Sequence, residues 1–107
     1  MNEPIKPPTH LEKETKAWWA EVAAEYELEA HHLRTLTLAC EQWDRAQAAR
    51  KLIKKEGIAI NDRFGQPKPH PAVAIERSAS VAFARLMREL ALDDTDPSRP
   101  PRVGGGT

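Results

Sequence analysis

At 107 residues the chain is the length of one domain, and a core that small commonly gains stability from partner subunits. Sixteen basic and sixteen acidic residues cancel, so the overall charge does not announce nucleic acid. A single cysteine, Cys40, excludes an intrachain disulfide, and no apolar run approaches the roughly 18 residues a membrane span needs. The charge is unevenly placed. Residues 1–29 carry three Lys and seven Glu, residues 30–92 eleven basic and six acidic residues, and residues 93–107 two Arg and three Asp. The N-terminal residues 1–8 lack the apolar centre of a signal peptide, so a soluble intracellular protein is expected.

Residues 1–8 hold Pro4, Pro7 and Pro8 and read as a flexible arm. Thr9-His10-Leu11-Glu12 fits a capping box, with reciprocal bonds between Thr9 and Glu12, and predicts a first helix from about His10. Leu11, Thr15, Trp18, Val22 and Tyr26 recur at helical spacing, widened by Trp19 and Ala23. Two adjacent tryptophans do not both point into a narrow core, so one is expected to face a neighbouring subunit. The acidic residues of this segment are spread round the helix and read as a solvated surface.

A second helix is expected over 29–56, with Leu33, Leu36, Cys40, Trp43, Ala46 and Ile53 on its main stripe and Ala39 and Ala49 beside it. Gly57 is its stop signal, a position where a left-handed residue costs little. About 28 residues at roughly 1.5 Å each give a helix near 40 Å. That exceeds the needs of so small a domain and suits packing against other copies. Ile58-Ala59-Ile60, the turn residues 61–63 and Phe64-Gly65 predict a small hairpin or ordered loop. In Pro67-Lys68-Pro69-His70-Pro71-Ala72, the first two prolines hold the chain extended and Pro71 presets a first helical turn. The third helix is expected over 71–92. Ile75, Ala79, Ala82, Phe83, Leu86 and Leu90 form its stripe, while Val73, Ala84 and Met87 make a second contact surface. Residues 93–107, with three prolines and three consecutive glycines, read as a disordered tail.

The inventory for chemistry is thin. His31 and His32 point about 100° apart on a helix, and no second Cys or His stands at zinc spacing, so no metal is expected. Cys40 sits among apolar residues and reads as a small buried hydrophobe. His70, between two prolines, reads as a structural or interface residue ahead of a phosphate contact or an acid–base group. No phosphate-cradling glycine loop and no nucleophile–base pattern occurs, which argues against an enzyme and leaves no cofactor to expect. The strongest electrostatic signal is Arg45, Arg50, Lys51, Lys54 and Lys55, extended by Arg63 and Lys68. Cations near a helix C-terminus complement its dipole, which is a purely structural reason for them. As a binding surface they would meet duplex phosphates rather than bases, since no aromatic is interleaved.

Taken together, the pattern resembles the small subunit of tailed-phage terminases, in its short all-helical form. The marks are Leu11 and Trp18-Trp19, Cys40 with Trp43, Gly57 leading into a hairpin with Gly65, then Lys68-Pro69-His70-Pro71-Ala72, and Arg77, Leu86, Glu89-Leu90 and Leu92. The resemblance covers about residues 7–92. This chain departs from similar proteins where Glu29-Ala30-His31-His32 opens the second helix and where Leu90-Ala91-Leu92 closes the last. The resemblance implies a mainly α chain, with one helical domain over 9–92 and a small β-hairpin before the last helix, assembling into a ring. It also implies a non-catalytic protein of the phage-infected or lysogenic host cytoplasm. Such a protein binds viral double-stranded DNA and recruits or regulates the large ATPase and nuclease subunit. Carried onto this sequence, Arg45, Arg50, Lys51, Lys54, Lys55, Arg63 and Lys68 would face DNA. Trp18, Trp19, Val73 and Met87 would meet neighbouring subunits, and residues 93–107 would engage the large subunit.

Two other readings stay open at this point. One is a helical adaptor that contacts protein only. The other is a small dimeric DNA-binding regulator, for which the stretch 57–69 between the second and third helices is too long to form a helix-turn-helix.

Overall fold

The structure, a computed structural model, describes residues 5–90. Three helices and one two-stranded ribbon follow in chain order: α1 (Lys13–Tyr26), α2 (Ala30–Glu56), β1 (Ala59–Asn61), β2 (Pro67–Pro69) and α3 (Pro71–Leu90). The expected tail, residues 91–92 of the last helix and the first four residues of the arm lie outside the described residues.

α2 is the spine, and the other two helices pack antiparallel along two of its flanks. On one flank Trp19 meets Thr37 and Thr15 meets Asp44. On the other, Trp43 packs near Phe83, Arg50 pairs with Glu76 and Glu56 meets His70. In both sets the residue numbers fall on one helix as they rise on the other. The result is a thin body of 61 × 36 × 19 Å. Its core gathers Leu11, Trp19, Val22, Leu36, Cys40 and Leu90.

The start of α1 differs from the capping box expected. The helix begins at Lys13, and Glu12, its N-cap residue, makes no side-chain cap bond. The cap comes from α2 instead. Asp44 accepts from the Glu12 backbone N–H at 2.9 Å through Oδ2 and from the Thr15 hydroxyl at 2.5 Å through Oδ1. A carboxylate satisfies an orphan donor at a helix N-terminus better than a hydroxyl, and it favours the positive end of the dipole. Thr9 and His10 form a turn that brings His10 Nε2 within 2.7 Å of Glu41 Oε2.

The stripe of α1 is also rotated from its expected centre. Trp19 is only 3% exposed and its indole N–H donates to Thr37 Oγ1 at 3.1 Å, while Trp18 is half-buried. The buried tryptophan is therefore Trp19, which leaves Trp18 as the one near the surface. α1 ends on Glu27, which takes the left-handed conformation (φ 49°, ψ 54°) despite its side chain. The first helical joint is thus made without glycine.

α2 starts one residue later than expected, after Glu29 as its N-cap residue. Gly57 does end it, but by a different geometry. Its φ of 91° with ψ of 161° is extended with the sign of φ reversed, not left-handed helical. L-residues with a side chain rarely adopt that conformation. The chain therefore leaves α2 directly into the ribbon.

The ribbon pairs Ala59 with Pro69, Ile60 with Lys68 and Asn61 with Pro67. A two-stranded ribbon is all edge, which tolerates proline on β2. Asp62 fixes its tip: Oδ1 accepts from the N–H groups of Phe64 (2.8 Å) and Gln66 (2.9 Å), and the Asp62 carbonyl accepts from Gly65 N–H (3.0 Å). Gly65 supplies the positive φ of 77° that closes the turn.

Candidate functional site

The end of the molecule formed by the last turns of α2, the ribbon and the start of α3 carries most of the predicted cations. Its geometry is set at His70. That side chain is buried, 6% exposed. Nδ1 accepts the Ala72 N–H at 3.0 Å, so the ring proton sits on Nε2 and donates to Glu56 Oε1 at 2.7 Å. His70 N–H donates to the Ile58 carbonyl at 2.8 Å. One residue thus caps α3, clamps the end of α2 and closes the base of the ribbon. Its expected structural role is what the contacts show.

The seven cations do not form one patch. Lys51, Lys54 and Lys55 stand at spacings of three and four on α2, share one face, and pair with no carboxylate among the described residues. Arg45 lies nine residues before Lys54, about 180° round the helix at 3.6 residues per turn. It borders a shallow groove with Ile75 and Ser78 on the other side of the α2–α3 pair. Arg50 is exposed but spends its charge on Glu76, Nε to Oε2 at 2.8 Å. Arg63 is exposed at the ribbon tip with its guanidinium 5.2 Å from the centre of the Phe64 ring. Lys68 is exposed on β2. Of the seven, Lys51, Lys54 and Lys55 therefore stand free on one face, with Arg63 and Lys68 on the ribbon beyond the helix and Arg45 on the opposite side.

A second feature lies halfway along the body. Trp18 from α1, Trp43 from α2 and Phe83 from α3 meet, with ring centres 6.5 Å (Trp18–Phe83) and 5.2 Å (Trp43–Phe83) apart. Together with Glu14 and Thr15 they line an open cleft of about 380 Å³. Trp43 is 45% exposed there, although the sequence stripe placed it on the buried face. Of the other predicted contact residues, Met87 leans on the main core and Val73 is half-buried at the start of α3.

Cys40 is fully buried, and its thiol is pushed up to about 12, first by burial and then by the neighbouring charges of Asp44 and Glu41. His31 and His32 lie side by side, ring centres 4.0 Å apart, and no three metal-ligating side chains gather among the described residues. No helix among the described residues is long and apolar enough to cross a membrane.

Sequence reasoning missed two polar residues that organise these features, Asp44 and Glu56. Neither has a local signal, because each acts on a segment that only folding brings near.

Comparison with known proteins agrees with the resemblance read from the sequence. No curated protein and no solved structure matches the chain. The family model described as phage terminase, small subunit, matches residues 13–104, which takes in all three helices and the ribbon. The chain belongs to the phage terminase small subunit family, whose members serve phage DNA packaging.

Proposed function

We propose that this protein is the non-catalytic DNA-engaging component of a packaging motor in the host cytoplasm. It assembles into a ring, holds viral double-stranded DNA and recruits or regulates the large ATPase and nuclease subunit. Lys51, Lys54 and Lys55 carry the phosphate contacts, and Lys68 extends them. The observation that carries this reading is the carboxylate-free lysine face of α2 in a chain of this family. Each subunit supplies only a few charges, so one copy binds weakly. Copies arranged in a ring add their contacts, and each neutralised phosphate steepens the salt dependence.

The family assignment favours this reading over a protein-only adaptor, and the unpartnered lysines give it a surface. Arg45 takes no part at that face, and Arg50 is held by Glu76.

Reversing three charges tests it. Lys51→Glu with Lys54→Glu and Lys55→Glu should weaken binding of a short duplex by about a hundredfold at low salt and flatten the plot of log affinity against log salt. Arg45→Glu should change affinity far less. Equal losses from the triple variant and from Arg45→Glu would remove the lysine face from the assignment. A wild-type chain with no duplex affinity in any assembled form would remove the DNA role itself.

A further inference from the structure

The molecule carries a projecting aromatic and an unfilled aromatic cleft, and they lie apart. Phe64 stands at the ribbon tip, 75% exposed, on a turn that Asp62 holds with two side-chain bonds. A rigid loop that presents a phenyl ring to water keeps apolar area exposed without a gain inside its own fold. The cleft between Trp18, Trp43 and Phe83 is the complementary shape: apolar walls from three helices, open to solvent, with Glu14 on its rim. Beside Phe64 stands Arg63. One copy keeps the two apart. Trp43 lies about 20 Å along α2 from its last turn, at 1.5 Å per residue over thirteen residues, and the ribbon begins beyond that turn.

We propose that Phe64 of one copy seats in the Trp18–Trp43–Phe83 cleft of the next, with Arg63 paired to Glu14 across the joint. The proposal deepens the ring reading above and rests on it. Aromatic rings in such a pocket prefer tilted, edge-to-face packing, the arrangement the lining rings already show with each other. Knob and cleft are different surfaces of one chain, so the contact is heterologous: it propagates head to tail and closes into a ring where the rotation allows. The chain's own residues 91–107 offer no aromatic; their apolar side chains are Ala91, Leu92, Val103 and the prolines Pro97, Pro100 and Pro101, none of which supplies a ring for tilted aromatic packing. The seating also draws Arg63 away from DNA and leaves Lys51, Lys54, Lys55 and Lys68 to that role.

Native mass spectrometry on the full chain tests the contact. Phe64→Asp removes the knob at an exposed position that packs on no core, and Trp43→Ala opens the cleft. Each alone should raise the concentration needed for assembly roughly tenfold or more. Mixed together, they retain one working joint between them, so a one-to-one heterodimer should form and stop there. Arg63→Glu should weaken assembly, and Arg63→Glu with Glu14→Arg should restore part of it. Circular dichroism on each variant separates lost contact from lost fold. Assembly unaffected by Phe64→Asp, or a mixture that yields only the species each variant forms alone, overturns the contact. So does a Phe64→Asp protein that assembles normally but loses duplex affinity, which would make Phe64 a nucleic-acid contact. Duplex binding is read separately, so a correct joint on a chain that ignores DNA would fail the packaging role and leave this contact standing.

Discussion

α1 and α3 start by the same physical need and meet it in opposite ways. Each begins with backbone N–H groups that no earlier turn can satisfy. α3 is capped from next door: His70 Nδ1 takes the N–H two residues on, and Pro71 fills the first position, where a missing N–H costs nothing. α1 is capped from far away: Asp44, 32 residues beyond Glu12, reaches across from the middle of α2. A local cap forms with its helix. A remote cap forms only when two helices dock, so it ties the start of α1 to the packing of the whole body.

The remote cap should be the costlier to break. Asp44→Ala leaves the Glu12 N–H and the buried Thr15 hydroxyl without their acceptor and should cost about 3 kcal/mol, read as a lower urea midpoint. Asp44→Asn keeps one acceptor and should lose about half as much. Cys40 supplies a second readout, although it also feels the Asp44 charge directly. With its thiol pushed up to about 12 and its side chain fully buried, it alkylates only when the helices part. Asp44→Ala should therefore speed that reaction in native buffer more than Asp44→Asn, which removes the same charge but keeps an acceptor. An unchanged midpoint would mean that the docked helices hold α1 without the cap.

The local cap is worth less, although His70 touches three elements. His70→Ala should cost about 1.5 kcal/mol, from the lost cap bond, the lost Glu56 contact and a small cavity. His70→Asn keeps an acceptor within reach of the Ala72 N–H and should recover more than half of it. If Asn recovers nothing, the clamp on Glu56 rather than the cap holds this corner. Either way the damage stays at the ribbon end, so Cys40 reactivity should respond less to His70→Ala than to Asp44→Ala.

What the sequence disclosed follows the same division. The long apolar spacing of Leu36, Cys40, Ala46 and Ile53 is a property of one helix, and α2 appears with ends within a residue of those expected. Gly57, Gly65 and the alternating prolines are local signals, and the ribbon forms where they fall. The cations were visible as a run, but their division was not. The run spans the helix circumference, so Arg45 and Lys54 diverge, and Arg50 is neutralised by Glu76, a partner 26 residues away. Trp43 followed the apolar period and still stands half open, because the cleft it borders is made by three helices at once. Periodicity names the face of a helix; it does not say whether a neighbour fills it.

Thr9 gives the comparison its smallest and sharpest test. Thr9-His10-Leu11-Glu12 has every residue a capping box asks for, and read locally Thr9→Ala should cost about 1 kcal/mol. The helix starts three residues later than His10, where Asp44 already occupies the Glu12 N–H that the Thr9 hydroxyl would have taken. A donor has one proton to give, and the carboxylate makes the stronger bond. Thr9 is left exposed in a turn, so Thr9→Ala should shift the urea midpoint by less than about 0.5 kcal/mol, as ordinary surface substitutions do. In an Asp44→Ala background the same N–H is free, and the box can form. There Thr9→Ala should cost more than it does in the wild type. Equal costs in the two backgrounds would show that the two caps never compete, and that the remote one does not displace the local one.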